Sequence, residues 1–310
     1  MINHPMNPIA IKFGGYQKPA SIHNRAAELF GEILGRTLGD RISFQLIGNV
    51  LELGRGSGDL PRMVESGELS CCYISSVRFT NPVPEFKLLE LPFVVKDRAR
   101  IHMALDGELG ELLSRRMLAN TACRVLGFWD NGFRHISNRV RPIRRPEDCR
   151  GLRIRTQMSD LHGEVFRMLG FEPIAADVKQ FVEEIAGSTF DAQDNPLTNI
   201  FNFGVHHYHR YITLTGHFFG ATVMLCNDEH YRSWPQDVQA AVDAAAREAT
   251  ALQWRLAAAE DAEILARFDP RHNEIIQLTG AEHAAFVSAV QPVLAKYRKI
   301  LDPKLFAYLE

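Results

Sequence analysis

The chain has 310 residues, 46% hydrophobic and 23% charged, with a formal net charge of −2. This is the balance of an ordinary globular protein, long enough for two lobes of roughly 150 residues, each with its own core. It excludes nucleic acid as a partner, because no broad basic excess exists to neutralise phosphates, and no apolar run approaches the roughly 18 residues of a membrane span.

The start, Met1 to Pro8, has neither a basic n-region nor an apolar h-region. It fits a cytosolic protein or a chain that begins after a removed signal peptide. Of the five cysteines, Cys71 and Cys72 are adjacent while Cys123, Cys149 and Cys226 are scattered. No metal spacing results. The odd count weighs mildly against an oxidising compartment, and a single disulfide such as Cys123 with Cys149 stays open.

Ile9–Phe13 reads as a first strand, ended by Gly14 and Gly15. A helix follows from about Ser21, with Ala26, Ala27, Leu29, Phe30, Ile33 and Leu34 on its inner side. Ile42–Ile47 is the next strand, and Gly54, Gly56 and Gly58 then lead into a helix near Pro61–Glu65. The glycine spacing is G-x-G-x-G, not the G-x-G-x-x-G of a dinucleotide fingerprint, so it reads as a plain loop. Leu69–Ser75 is a third strand. This alternation implies a largely parallel, doubly wound sheet.

Residues 127–155 organise the chain. An aromatic, glycine-punctuated run from Gly127 to Arg134 reads as a strand crossing between two lobes. A polar loop with Pro142, Pro146 and Asp148 follows, and Leu152-Arg-Ile-Arg155 is a short alternating strand ending on a cation. Ligands of open α/β sheets collect beyond the carboxyl ends of strands, so Arg155 is aimed at a crevice. Its planar five-donor fork matches a carboxylate bidentately. Seven arginines lie between Arg139 and Arg155, so composition alone favours a surface cation in a basic stretch.

Beyond it, Asp160–Leu169 reads as a helix ended by Gly170, and Phe181–Ile185 as a second helical piece. Asp191 to Pro196 is a polar cluster that fits a loop at the mouth of a cleft. Tyr211–Thr215 and Val223–Cys226 read as two further strands. Pro235 to Phe268 holds no glycine or internal proline, and Ser233 with Gln236 suits a capping box at its start. Val238, Val242, Ala245, Ala249, Leu252 and Leu256 make one face. Such a helix would extend roughly 50 Å and brace both lobes. His206, His207 and His209 read as a surface turn rather than a metal site, since no carboxylate or cysteine accompanies them at ligand spacing. Glu183-Glu184 is a solvated helix pair, and no cysteine–histidine spacing suggests a nucleophile.

Four stretches together resemble one family. Asn131-Gly-Phe-Arg-His-Ile-Ser-Asn138 resembles "N-G-x-R-x-x-[ST]-N", and Asp148-Cys-Arg-Gly-Leu-Arg-Ile-Arg155 resembles "D-L-K-G-L-K-I-R". Gly187 to Pro196 resembles "t-G-v-v-D-G-Q-E-N-P", and Tyr211 to His217 resembles "Y-L-T-L-T-x-H". These are marks of the TRAP-transporter solute-binding proteins, the extracytoplasmic receptors of tripartite ATP-independent importers, and the likeness runs from about Ile9 to Phe268.

The resemblance implies an α/β, two-lobed periplasmic-binding-protein-like fold, with crossing hinge strands and one long helix spanning both lobes. Lobe I would take 1–130 with 220–258 and lobe II 131–219 with 259–310, the ligand lying in the cleft between them. Arg155 would hold the ligand carboxylate, Arg134 would add a second positive charge and Asn195 would donate from its amide. Tyr16 and Ser75 would lie at first-lobe strand ends facing the cleft; Trp129 and Phe218 would wall the pocket or serve as core. Where the family reads "N-P-x-P-M-x-F-S-E", the chain has Glu172-Pro-Ile-Ala-Ala-Asp-Val-Lys-Gln180. Val178 replaces the aromatic and makes the pocket roomier, while Asp177 either receives a ligand hydroxyl or amine or caps the helix behind it.

The function implied is non-enzymatic and needs no cofactor or metal. A periplasmic receptor would hand a small monocarboxylate (a hydroxy, keto or sugar acid, with an aromatic acid left open) to the membrane subunits of a TRAP transporter. The alternatives are an enzyme on a similar two-lobed scaffold, or the receptor of an ATP-driven importer or sensor.

Overall fold

A computed structural model describes residues 7–309; of the start read at 1–8, residues 1–6 lie outside them. In chain order the elements are β1 (Ile9–Gly14), α1 (Ile22–Leu38), β2 (Ile42–Ile47), α2 (Leu60–Glu65), β3 (Cys71–Ser75), α3 (Arg98–Asp106) and α4 (Glu108–Asn120). Next come β4 (Cys123–Asn138), β5 (Arg153–Thr156), α5 (Asp160–Met168), β6 (Glu172–Ala175), α6 (Val178–Glu184), β7 (Ala192–Pro196) and α7 (Leu197–Asn202). The chain ends with β8 (Tyr211–Asn227), α8 (Asp228–Ser233), α9 (Gln236–Leu265), β9 (Glu274–Gln277), α10 (Gly280–Ala289), α11 (Gln291–Ile300) and α12 (Pro303–Ala307).

These form two compact units. One gathers the described part of Met1–Ile74 with Ser114–Trp129 and Thr222–Leu256; the other gathers Ser75–Leu113, Asp130–Ala221 and the described part of Ala257–Glu310. The chain passes from one unit to the other at the end of β3 and inside α4, β4, β8 and α9. The α/β, two-lobed class with crossing strands and one long shared helix is therefore the observed one.

In the first unit, β1 lies between β2 and β3, parallel to both. Ile11 and Phe13 point inward from it, fully buried, as alternation along a strand requires. Helix α1 starts where Ser21 Oγ accepts from the Asn24 amide, and it buries Ala26, Ala27, Phe30 and Leu34. It approaches β2 so closely that a Cβ on Gly31 would stand 2.2 Å from the Phe44 ring. Val238, Val242, Ala245 and Ala249 of α9 are fully buried, the face the spacing predicts.

In the second unit the strand order is β8-β4-β7-β5-β6, with β9 on β8. β5 runs parallel to β6 and β7, and β7 antiparallel to β4. Phe181, Phe190, Leu197, Ile200, Ile212, Ile264 and Phe268 form an apolar core from α6, α7, β8 and the end of α9.

Three readings are corrected. The polar run at 191–196 is strand β7 rather than a loop, because its backbone is bonded into the sheet and its side chains satisfy one another. The strands read at 211–215 and 223–226 are one strand, β8, which tolerates an internal glycine because Gly216 takes φ +56 without leaving the ladder. Ser233 Oγ donates to the His230 carbonyl, closing α8 rather than capping α9.

The segment Ser75–Leu113 falls in the second unit. Polar anchors explain it: Arg98 pairs with Asp130 at 2.7 Å and Asp261 at 2.9 Å, and Arg78 with Asp177 at 2.6 Å. Glu90 accepts from Ser76 Oγ at 2.5 Å and meets His162 at 2.9 Å. All five cysteines are buried and free.

Candidate functional site

Strand β5 alternates as its sequence suggests. Arg153 turns outward to Asp191, Ile154 is fully buried, and Arg155 turns inward with 1% of its surface exposed. The Arg155 Nε and Nη2 both donate to the Ala176 carbonyl, at 2.9 and 2.6 Å, and the guanidinium lies 5.3 Å over the Phe181 ring. That ring supplies a cation–π contact. Among the described residues, no carboxylate lies within ion-pair distance of it. Burial pulls the Arg155 pKa down to about 10; Asp194 opposes the shift, while Arg134 and Arg78 add to it. A guanidinium carries five N–H donors. Two face Ala176, so Nη1 and the second Nη2 hydrogen remain for an anion.

Arg134 is also buried, and its charge is already matched. Its Nε meets Asp194 Oδ2 at 2.5 Å and its Nη2 the Asp194 carbonyl at 2.6 Å. His217 Nε2 stands 3.5 Å from the same Oδ2. Burial alone would raise the Asp194 pKa, but Arg134 and His217 together hold the carboxyl well below the usual range. Asn195 donates to Gln193 Oε1 at 2.5 Å and accepts from Asn199, while Gln193 donates to Ser137 Oγ at 2.6 Å.

Strand register sorts these groups. Arg155 is opposite Gln193, His135 opposite Asn195, and Arg134 opposite Pro196. Directly opposed residues share a face and neighbours along a strand do not. Arg155, Gln193, Asn195 and Ser137 thus share one face, while Arg134 and Asp194 lie on the other. The expected cluster of three is resolved into an unpaired cation beside an amide row, and a matched ion pair behind it.

Asp177 does two jobs at once. It caps α6, accepting from the Lys179 amide at 3.0 Å, and it pairs with Arg78. Ser75 Oγ accepts from Gln157 Nε2 at 3.3 Å. Phe218 stacks on His162 with centroids 4.1 Å apart and is fully buried. In the first unit, Trp129 is fully buried, stacked on Phe13 and bonded to Thr250 Oγ1 at 3.0 Å, which is the core reading. Tyr16 packs on Tyr73, centroids 5.5 Å apart. His209 of the histidine run is buried against Ser137 Oγ, and His206 stacks on Phe201.

Sequence reasoning missed Arg78, which follows the carboxyl end of β3, as Arg155 stands near the carboxyl end of β5. The strand-end signal that singled out Arg155 applies equally there. It also missed the Glu90–His162 pair, whose partners are far apart in sequence and come together only through packing.

Comparison with known proteins places these features in context. The family described as DctP, bacterial extracellular solute-binding protein, family 7, matches residues 13–300. A solute-binding protein of Verminephrobacter eiseniae is 32% identical over 238 residues, covering 76% of this chain and 70% of its own. A TRAP periplasmic solute-binding protein of Sulfurospirillum deleyianum, solved with bound succinate, superposes with TM-score 0.92 at 24% identity, covering 98% and 99% of the two chains. The sugar acid binding protein DctPAm of Advenella mimigardefordensis, solved with galactonate, gives 0.92 at 22% identity and covers 98% and 97%.

Proposed function

The chain belongs to family 7 of the bacterial extracellular solute-binding proteins, and from that premise we propose that it captures a small organic acid in the periplasm for a TRAP-type secondary transporter. The observation that carries the proposal is Arg155, a guanidinium 1% exposed and without a carboxylate partner among the described residues. A buried charge is costly unless it is paired. An incoming carboxylate on Nη1 and Nη2 supplies the pairing, and the bidentate geometry strengthens it.

Asn195 contributes its amide on the same face. Arg134, spent on Asp194, holds β4 to β7 and lends positive potential rather than a direct bond. The Arg78–Asp177 pair offers a donor and an acceptor toward the rest of the ligand. This favours a hydroxy or sugar acid such as galactonate over a bare dicarboxylate such as succinate. Val178 leaves room for such a chain. The role is capture without turnover, so a bound acid is recovered unchanged by mass spectrometry after long incubation. Among the described residues, no helix is long and apolar enough to cross a membrane.

The test is a thermal-shift screen against an acid library. A ligand at a hundred times its Kd adds about 2.7 kcal/mol. With an unfolding entropy of about 2.1 cal/mol/K per residue, that raises the Tm of 310 residues by about 4 °C. Arg155→Ala should fold and lose the shift. A full shift in that variant sinks the proposal.

A further inference from the structure

The second unit contains a cavity of about 530 Å³ that none of Arg155, Arg134, Asn195 and Asp177 lines. Its size falls within the range of small-molecule pockets. Phe93, Phe133, Leu197, Leu214, Leu265 and Val287 give it apolar walls. Polar side chains interrupt them: Thr215, His283 and the exposed Lys96 at the lining, and two on which the chemistry turns, His135 on β4 and Asp261 on α9.

The chemistry of those two groups is complementary. His135 Nδ1 accepts the Gly216 amide at 3.1 Å, so the ring proton sits on Nε2 and makes that nitrogen a donor. Burial holds the ring neutral by lowering its pKa to about 3, with His217, Arg98 and Arg134 adding to the shift. Asp261 gives Oδ2 to Arg98 at 2.9 Å and keeps Oδ1 as an acceptor. Phe93 forms a wall with φ 58, the one positive φ among the described non-glycine residues. Such a conformation is unfavourable and persists where surroundings hold it, often at binding sites. Here the Phe93 amide donates to the His217 carbonyl at 2.8 Å, and its ring meets His283 edge-on at 5.1 Å.

We propose that this cavity is a second binding site, for a compact apolar molecule bearing one hydroxyl group, a phenol or a cyclic alcohol. The hydroxyl oxygen accepts from His135 Nε2 and its O–H donates to Asp261 Oδ1. A carboxylate head is disfavoured, since it would face the charge of Asp261. The ligand class therefore differs from the acid drawn to Arg155.

The probe is naphthol, followed by equilibrium dialysis, with methylnaphthalene as the hydroxyl-free control of similar shape. Wild type and Arg155→Ala should bind naphthol equally, and Val287→Trp, which fills the cavity, should weaken it at least tenfold. His135→Phe should remove the preference for naphthol over methylnaphthalene. Amide resonances of Phe93 and Val287 should shift when naphthol is added to wild type, a readout that needs no variant to fold. No uptake by wild type, equal affinity for methylnaphthalene, or a loss of uptake in Arg155→Ala rather than Val287→Trp overturns the inference.

Discussion

Asp194→Asn tests the electrostatic frame of the site most directly. Asp194 and Arg134 are 0% and 3% exposed, and their 2.5 Å contact is the only charge match Arg134 has among the described ion pairs. Removing one partner of such a pair leaves the other charge buried and unmatched, which typically costs about 3–5 kcal/mol. Asparagine keeps some hydrogen bonding, so the lower end applies, about 3 kcal/mol. With an m-value of about 3 kcal/mol/M, the urea midpoint at neutral pH should fall by about 1 M. The double variant Arg134→Met with Asp194→Asn should be at least about 2 kcal/mol more stable than the two single losses added together. The folded carboxyl titrates below its unfolded value of about 3.9. Its contribution is therefore present above that value and is lost as pH falls toward the folded one. The gap between wild type and variant should stay constant above about pH 5 and shrink below about pH 4. Anion affinity should move the opposite way, because Asp194 partly offsets the charge of Arg155. A stability loss under 1 kcal/mol, or acid binding weakened in step with stability, refutes the reasoning.

Three further outcomes are expected. Asp177→Asn keeps a good cap for α6 but releases Arg78, so stability should change by less than about 1 kcal/mol, while calorimetry shows preference moving from galactonate toward succinate. Trp129→Phe loses the bond to Thr250 and part of a stacked core, costing about 1–2 kcal/mol by urea unfolding, and leaves acid affinity within twofold. His209 is 0% exposed and burial holds its pKa at about 3, against about 6.5 unfolded. It stays neutral while the unfolded state gains a proton, so its stabilising contribution is full above about pH 6.5 and falls by about 1.4 kcal/mol per unit toward pH 3. His209→Gln should flatten the measured pH slope by that amount.

What was legible in the sequence was mostly local. The alternation at Leu152–Arg155, the glycine-free run that became α9, and the serine before α1 each carry their own signal within a few residues. What misled was polarity taken as a sign of exposure. Asp191 to Pro196 looks like a loop because four side chains in it are strongly polar, yet Gln193, Asp194 and Asn195 are all buried in β7. Two of their partners, Ser137 and Arg134, come from β4, far away in sequence, and no short window holds both sides of those bonds.

The two arginines show the same limit. Arg134 and Arg155 are alike in type, burial and motif, so sequence assigns both to one carboxylate. The strand register decides between them, because one residue's offset sends a side chain to the opposite face. Arg134 then meets a carboxylate built into the chain, while Arg155 meets only a carbonyl and an aromatic ring. A site for an exchangeable anion needs that asymmetry. If both cations were matched internally, nothing would be gained on binding; if neither were, the empty site would carry two unpaired buried charges. One matched pair beside one unmatched fork keeps the free protein foldable and, on the proposed reading of Arg155, leaves a single strong position for a ligand's carboxylate.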